Sequence, residues 1–110
     1  MRGGILPYTE ELTDQEICGL ILKCYRLLLG LTQAAWAEQI GLSAYSLGKL
    51  EKGGTTWDKI LKASSVIGWE QKTVLDIASE VRKKEIKSET DLRTFVMLRI
   101  SEIRTKQNLK

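Results

Sequence analysis

The sequence predicts an all-α protein, in which a five-helix domain with a helix-turn-helix unit is followed by one additional C-terminal helix. Apolar residues recur every three or four positions through most of the chain, which is the period of an amphipathic helix. Residues that commonly start helices precede these periodic runs, and glycines follow several of them. Both signals occur twice between Thr32 and Gly53, and the other helices are organised around this stretch.

Composition excludes several classes of protein. The chain has 110 residues, of which 28% are charged and 43% hydrophobic, as is ordinary for one globular domain. It has no histidine and no glycine-rich phosphate loop after a strand, so we expect neither an enzyme nor a metal or other cofactor. No apolar run has membrane-spanning length. Cys18 and Cys24 lie on different faces of a predicted helix, which fits a reducing cytoplasm.

The two ends of the chain differ in character from its middle. Residues 1–12 are predicted to form a flexible N-terminal arm, because they contain two glycines, the only proline and no apolar period. Arg2 is the only basic side chain of this arm, so a disordered terminus is favoured over an arm that contacts DNA or a second subunit. We expect the helix-turn-helix domain to span residues 13–87 and the C-terminal helix to lie within residues 88–110.

The first helix has a clear start and a clear end. Thr13 and Glu16 have the spacing of a capping box, and they precede an apolar run. Residues 14–29 are predicted to be helical, and Gly30 ends the helix. One face of this helix carries Ile17, Leu20, Ile21, Cys24 and Leu28.

Two short helices follow and are joined by a tight turn. Thr32 can cap the first helix, and Gly41 ends it at a position that favours the left-handed conformation. Ser43 can cap the second helix, which extends to about Lys52. Ala37 is small, as required where two helices cross closely over a short turn. An ordinary helical hairpin within a bundle is the alternative interpretation.

The ordered set of residues in this stretch resembles the helix-turn-helix of the phage repressor and Cro family, often called XRE-like. The resemblance covers residues 21–67, and the matching residues are Thr32, Gln33, Trp36, Ala37, Ile40, Gly41, Leu42, Ser43, Leu47, Leu50, Glu51 and Gly53. It implies a five-helix repressor-like domain that binds double-stranded DNA and regulates transcription. It also implies a structural ion pair between Arg26 and Glu51, for which the alternative is two separate solvated charges.

The second short helix is the expected recognition helix. At about 100° per residue, one arc of this helix holds Ala44, Tyr45, Gly48, Lys49 and Lys52, while Leu47 and Leu50 face the core. This arc is expected to enter the major groove, with base contacts from Ala44, Tyr45, Gly48 and Lys49. Lys49 is the best candidate for a hydrogen bond to guanine. Phosphate contacts are expected from Thr32, Gln33, Ser43, Ser46 and Lys52.

Two further helices complete the predicted domain. One spans residues 57–67, with Trp57 in the core, and the other spans residues 71–86. A basic cluster near the end of the second, residues 82–87, is interpreted as a solvated face that also suits the helix dipole.

The last helix, about residues 91–106, lies beyond the resemblance. Its wide apolar surface includes Leu92, Phe95, Val96, Ile100 and Ile103. Such a surface must be buried, either on the core of the same chain or on a second copy. Because a repressor-like domain binds a two-fold operator as a dimer, we favour a homodimer interface formed by these residues.

These observations favour a transcriptional repressor that acts as a homodimer on a two-fold operator. Two alternatives remain open. The chain could be the antitoxin of a toxin–antitoxin pair, which uses a similar domain and binds a toxin through extra helices. It could also be a protein-interaction module that has lost DNA binding.

Overall fold

The computed structural model describes residues 11–84 and 86–108, excluding the side chains of Gln71 and residues 106–108. This part of the chain is all-helical, as predicted, and contains no strand. The helices are α1 (Asp14–Leu28), α2 (Gln33–Ile40), α3 (Ala44–Glu51), α4 (Trp57–Val66), α5 (Gln71–Lys83) and α6 (Glu89–Asn108). Most of the predicted N-terminal arm lies outside the described residues.

The predicted capping residues start the first three helices. Thr13 Oγ1 accepts a hydrogen bond from the backbone N–H of Glu16, whose own carboxylate accepts one from Thr13 N, so the capping box is complete. Thr32 and Ser43 cap α2 and α3 by accepting from backbone N–H groups at 3.1 and 3.0 Å. Gly41 ends α2 with a φ of 73°, the left-handed conformation that a side chain disfavours.

The boundary between α5 and α6 differs from the prediction. α5 ends at Lys83, because Lys84 is extended, with φ −89° and ψ 148°. α6 begins at Glu89, and Ser88 Oγ accepts from Asp91 N near its start. Ile86 lies in the segment between the two helices and is buried. Because α5 ends before Ile86, this segment can place the Ile86 side chain in the core.

α1 is the central helix, because α3, α4, α5 and α6 all pack against it. The core contains Ile17, Ile21, Leu22 and Cys24 of α1, Trp36 and Ile40 of α2, Leu47 and Leu50 of α3, Ile60 of α4, and Val74 and Ile77 of α5. Trp69 covers one end of this core, where its ring meets Tyr25 edge-on at a centroid distance of 5.3 Å. Trp57 is partly buried against the same core, as expected.

The apolar stripe of α6 packs on its own chain, which corrects the expectation of a dimer interface at three of its five residues. Leu92, Val96 and Ile100 are fully buried where α6 contacts α1 and α5. Phe95 and Ile103 are partly buried and pack against the same core. Each buried side chain of this kind gains about 1.5–3 kcal/mol, which explains why the helix folds back.

An ion pair also holds α6 to α5. Arg99 donates to both carboxylate oxygens of Glu80, at 2.6 and 3.0 Å. The hydrogen bond from Arg99 holds the pKa of Glu80 below its usual value.

A second link joins α5 to the start of α1, where Arg82 donates to Asp14 Oδ1 and to the carbonyl oxygen of Leu12. Leu12 is partly buried, so the last residue of the predicted arm belongs to the folded body.

Both cysteines are free and lie in the core. Burial raises the pKa of the Cys18 thiol from 9.0 to about 12 and that of the Cys24 thiol from 9.0 to about 11. Both groups are therefore neutral at pH 7, and neutral buried thiols are poor nucleophiles.

Within the described residues, no single helix has both the length and the apolar character needed to span a membrane. α1 and α2 meet that requirement only when taken together, across a bend of 110°. The buried side chains of both helices lie in the core described above.

Candidate nucleic-acid interface

α2 and α3 form one unit around a three-residue turn. The backbone N–H of Leu42 donates to Ala37 O at 2.9 Å, and that of Gly41 donates to Glu38 O at 3.3 Å, which satisfies two carbonyl groups at the end of α2. Ala37 is buried, and α2 and α3 pack directly on each other. The local sequence therefore determines both the turn and the close packing of the two helices.

The end of α3 lies directly on the backbone of α1. A Cβ atom at Gly19 would overlap Leu50 O, and it would lie 3.2 Å from the carbonyl carbon of Glu51. At Gly53, where φ is 83°, a Cβ atom would lie 2.6 Å from the Cα atom of Glu16. Gly53 is one of the residues that carry the family resemblance, whereas the only sequence signal for Gly19 is a glycine inside an apolar helical run, and its contact with α3 was not predicted.

The ion pair that the sequence predicts is present beside this contact. Arg26 Nε donates to Glu51 Oε2 at 2.7 Å, and Arg26 Nη2 donates to Glu51 Oε1 at 3.1 Å. Arg26 Nη1 donates to the carbonyl oxygen of Leu31, one residue before the N-cap of α2. Arg26 and Glu51 are only 8% and 5% exposed, so the pair is a buried link from α1 to α3.

Gln33 joins the same network from α2. Its Nε2 atom donates to Glu51 Oε1 at 3.0 Å, although the rest of the residue is exposed. The sequence predicts a phosphate contact for Gln33, and its contact with Glu51 was not predicted. Residues 18 positions apart carry no local signal of contact, and this contact depends on how α2 and α3 pack.

The predicted base-contact arc lies on the exposed side of α3. Tyr45 is 72% exposed. Lys49 follows it by one helical turn, and Lys49 Nζ lies 4.9 Å from the centroid of the Tyr45 ring, in cation–π geometry. Ala44 is also exposed. Gly48 is partly buried, and a Cβ atom there would meet only Gln33 Nε2, at an ordinary contact distance of 4.0 Å. The four residues expected to contact bases thus present one large aromatic side chain, one cation and two small residues.

The residues expected to contact phosphate have different local roles. The oxygens of Thr32 and Ser43 accept the capping hydrogen bonds, and Ser43 Oγ also donates to Ser46 Oγ at 3.0 Å. The hydroxyl protons of Thr32 and Ser46 are not needed for these contacts. Lys52 follows the last residue of α3 and is exposed. Donor groups suited to an anion therefore flank α3 at both ends.

A further cation, which the sequence does not predict, lies beside the turn. The side chain of Lys62 extends from α4 towards the turn, where its Nζ atom lies 3.5 Å from the position of a Cβ atom on Gly41. Lys62, Lys49 and Lys52 are all exposed. The carboxylate of Glu51 is paired with Arg26, which weakens the electrostatic repulsion between this carboxylate and an anion near the surface.

A scan against protein-family models finds no match to the chain, and searches of curated proteins and of solved structures find no significant match. The functional assignment therefore rests on the residues and contacts described above.

Proposed function

We propose that this chain is a sequence-specific DNA-binding protein that regulates transcription, with α3 in the major groove of double-stranded DNA. The observation that carries the proposal is the α2–α3 unit, in which the left-handed Gly41 joins two short, closely packed helices. α3 leaves Ala44, Tyr45 and Lys49 exposed on one side, while Leu47 and Leu50 anchor the opposite side in the core. A major groove about 12 Å wide admits one α-helix, and polar side chains on that helix read base edges.

The proposed contacts divide into two kinds. Lys49 would donate a hydrogen bond to a guanine, and the methyl side chain of Ala44 would contact a thymine methyl group. Tyr45 would reach a neighbouring base edge or a phosphate. Gln33 and the free N–H groups at the start of α2 would bind a phosphate, where the helix dipole also favours an anion. Phosphate contacts set the position of the helix, and base contacts supply specificity.

We further propose that the protein acts in the cytoplasm as a homodimer on a two-fold operator, where it represses transcription. Two copies related by two-fold symmetry match a palindromic site with half-sites one helical turn apart. Since Leu92, Val96 and Ile100 are buried within the chain, they are not available to a second copy. Phe95 and Ile103 keep part of their surface accessible, and Leu98 of the same helix is 61% exposed.

Selection of bound sequences from random duplex DNA tests this proposal. The expected result is enrichment of a two-fold motif with half-sites about 34 Å apart, and affinity that falls steeply with added salt. The Lys49→Ala variant is the matched control, because its side chain lies outside the core and the same selection should lose preference at one position in each half-site. Failure to enrich any sequence would contradict DNA recognition and favour a protein-interaction module. A second protein that co-purifies and inhibits growth when expressed alone would favour an antitoxin.

A further inference from the structure

Gln33 and Glu51 meet at the boundary between the expected phosphate contact and the buried ion pair. We propose that Glu51 is a positioning residue for DNA binding, because it orients the side-chain amide of Gln33 towards the phosphate backbone. This inference rests on the proposed function and adds a role that the ion pair with Arg26 does not require.

The chemistry of the two groups determines which end of the amide faces Glu51. An ionised carboxylate only accepts hydrogen bonds, so Gln33 must turn its NH₂ group towards Glu51 Oε1, as the 3.0 Å contact of Nε2 indicates. An amide nitrogen has two protons, and one remains for another acceptor. A phosphate oxygen is also only an acceptor, so the orientation imposed by Glu51 leaves a donor for it. A freely rotating amide would present its carbonyl oxygen to the phosphate part of the time.

The carboxylate that orients Gln33 is itself held in place. Two hydrogen bonds from Arg26 and almost complete burial leave Glu51 little freedom to rotate. Arg26 also compensates the negative charge, which would otherwise repel a phosphate near Gln33. Its third hydrogen bond, to Leu31 O, restrains the peptide just before the Thr32 cap. The network thus restrains both the side chain and the backbone that start α2.

A purely structural role for Glu51 predicts a different result from a positioning role, and a mutant cycle separates them. The four proteins are the parent, Gln33→Ala, the apolar double variant Arg26→Met/Glu51→Leu, and the combination of all three changes. Apolar residues of similar volume often replace a buried ion pair without loss of stability. Affinity is measured on the operator selected by the parent, well below the melting temperature of each protein.

The expected result is strong coupling between Gln33 and the ion pair. Gln33→Ala should lose roughly tenfold in affinity, as for one phosphate hydrogen bond, and the apolar double variant should lose a smaller factor, because an unoriented amide still donates part of the time. The combined variant should lose no more than Gln33→Ala alone. Phosphate ethylation interference should disappear at one phosphate in Gln33→Ala and should weaken at the same phosphate in the apolar double variant. As the control, Lys49→Ala combined with the apolar double variant should give independent, multiplied losses.

Other outcomes overturn the inference in distinguishable ways. Glu51 is only structural if the apolar double variant binds as tightly as the parent. The same conclusion follows if the two apolar changes lower affinity by the same factor in the parent and in Gln33→Ala. A parent that binds no duplex overturns the proposed function together with this inference. If the apolar variant does not fold, NMR of the parent protein tests the same contact. Two resolved side-chain NH₂ resonances of Gln33, one of them protected from exchange with solvent, support the inference, and two rapidly exchanging resonances overturn it.

Discussion

Arg26 and Glu51 are 25 residues apart in the sequence and form two hydrogen bonds, of 2.7 and 3.1 Å, inside the protein. This contact joins the central helix to the last turn of α3, beside the position where Gly19 and Leu50 bring the two backbones together. The orientation of α3 on the domain is therefore set by backbone packing and by a charged contact at the same place. Substitutions at the ion pair and at Gly19 separate these two contributions.

Removal of one partner of the ion pair should destabilise the fold strongly. Glu51→Ala leaves the guanidinium of Arg26 buried without its carboxylate, which typically costs about 3–5 kcal/mol. Arg26→Met/Glu51→Leu should recover much of that loss, because it leaves no unpaired charge. Urea denaturation measures the free energy of unfolding of each protein. If Glu51→Ala unfolds at the same urea concentration as the parent, the pair contributes nothing to the fold.

The two helical glycines Gly19 and Gly48 should respond in opposite directions to alanine. Gly19→Ala forces α1 and α3 apart, since its Cβ atom would overlap Leu50 O. We expect the free energy of unfolding to fall by about 1–3 kcal/mol. Gly48→Ala has room for a Cβ atom and should stabilise α3 by about 0.5–1 kcal/mol. Thermal melting followed by circular dichroism compares them. Equal effects would mean that the close approach of α1 and α3 does not constrain position 19.

Removal of α6 should unfold the domain. The sequence alone favoured burial of this helix on a second copy of the chain, but Leu92, Val96 and Ile100 are buried on α1 and α5. Their combined burial, at about 1.5–3 kcal/mol each, approaches the total stability of a small domain. Circular dichroism and sedimentation of the truncated chain measure the outcome. Val96→Asp should have the same effect, whereas Ser101→Asp, at an exposed polar position of the same helix, should leave melting unchanged. A truncated chain that melts cooperatively would contradict this packing.

Lys49 and Gln33 should have different effects on DNA specificity. Lys49→Ala should relax preference at one base pair in each half-site by about 1–3 kcal/mol. Gln33→Ala should weaken binding to all sequences by a similar factor, because a phosphate is the same at every base pair. Affinities for a panel of single-base operator variants distinguish the two. Identical profiles for the two proteins would contradict the assignment of base and phosphate roles.

The buried thiols should make the fold sensitive to alkali. The folded-state pKa values of Cys18 and Cys24, about 12 and about 11, lie above the unfolded value of 9.0, so their contribution to stability is complete below pH 9. It is lost as pH rises towards 11 and 12, at about 1.4 kcal/mol per pH unit for each thiol. Urea denaturation at pH 8 and pH 10 should show a smaller loss in Cys18→Ala/Cys24→Ala than in the parent. Because the two proteins differ only at the two thiols, an equal loss would exclude the thiols as the cause.

Local signals in the sequence predict much of the fold. Thr13, Thr32 and Ser43 cap the helices assigned to them, and Gly41 has the expected left-handed conformation, because a cap or a turn depends on only a few neighbouring residues. The resemblance to a known family implied the contact between Arg26 and Glu51, which no local pattern could supply.

Contacts between distant segments were harder to predict. The apolar surface of α6 shows that the helix must be buried, but it does not identify the surface that covers it. The same limit applies to Gly19 against Leu50, to Gln33 against Glu51, and to Lys62 beside the turn, since each depends on the relative placement of two helices. These contacts are also the ones that set the orientation of α3 and the charge around it.

The length of α3 limits how much sequence information one copy of the protein can extract from DNA. Its eight residues extend over about 12 Å, at about 1.5 Å per residue. At about 3.4 Å per base pair, this length faces about four base pairs, which distinguish roughly 250 sequences. A genome offers on the order of a million or more competing sites, so a four-base-pair word recurs by chance thousands of times. Two copies on adjacent half-sites square the number of distinguishable sequences, which makes pairing a requirement for the proposed regulator to find its operator.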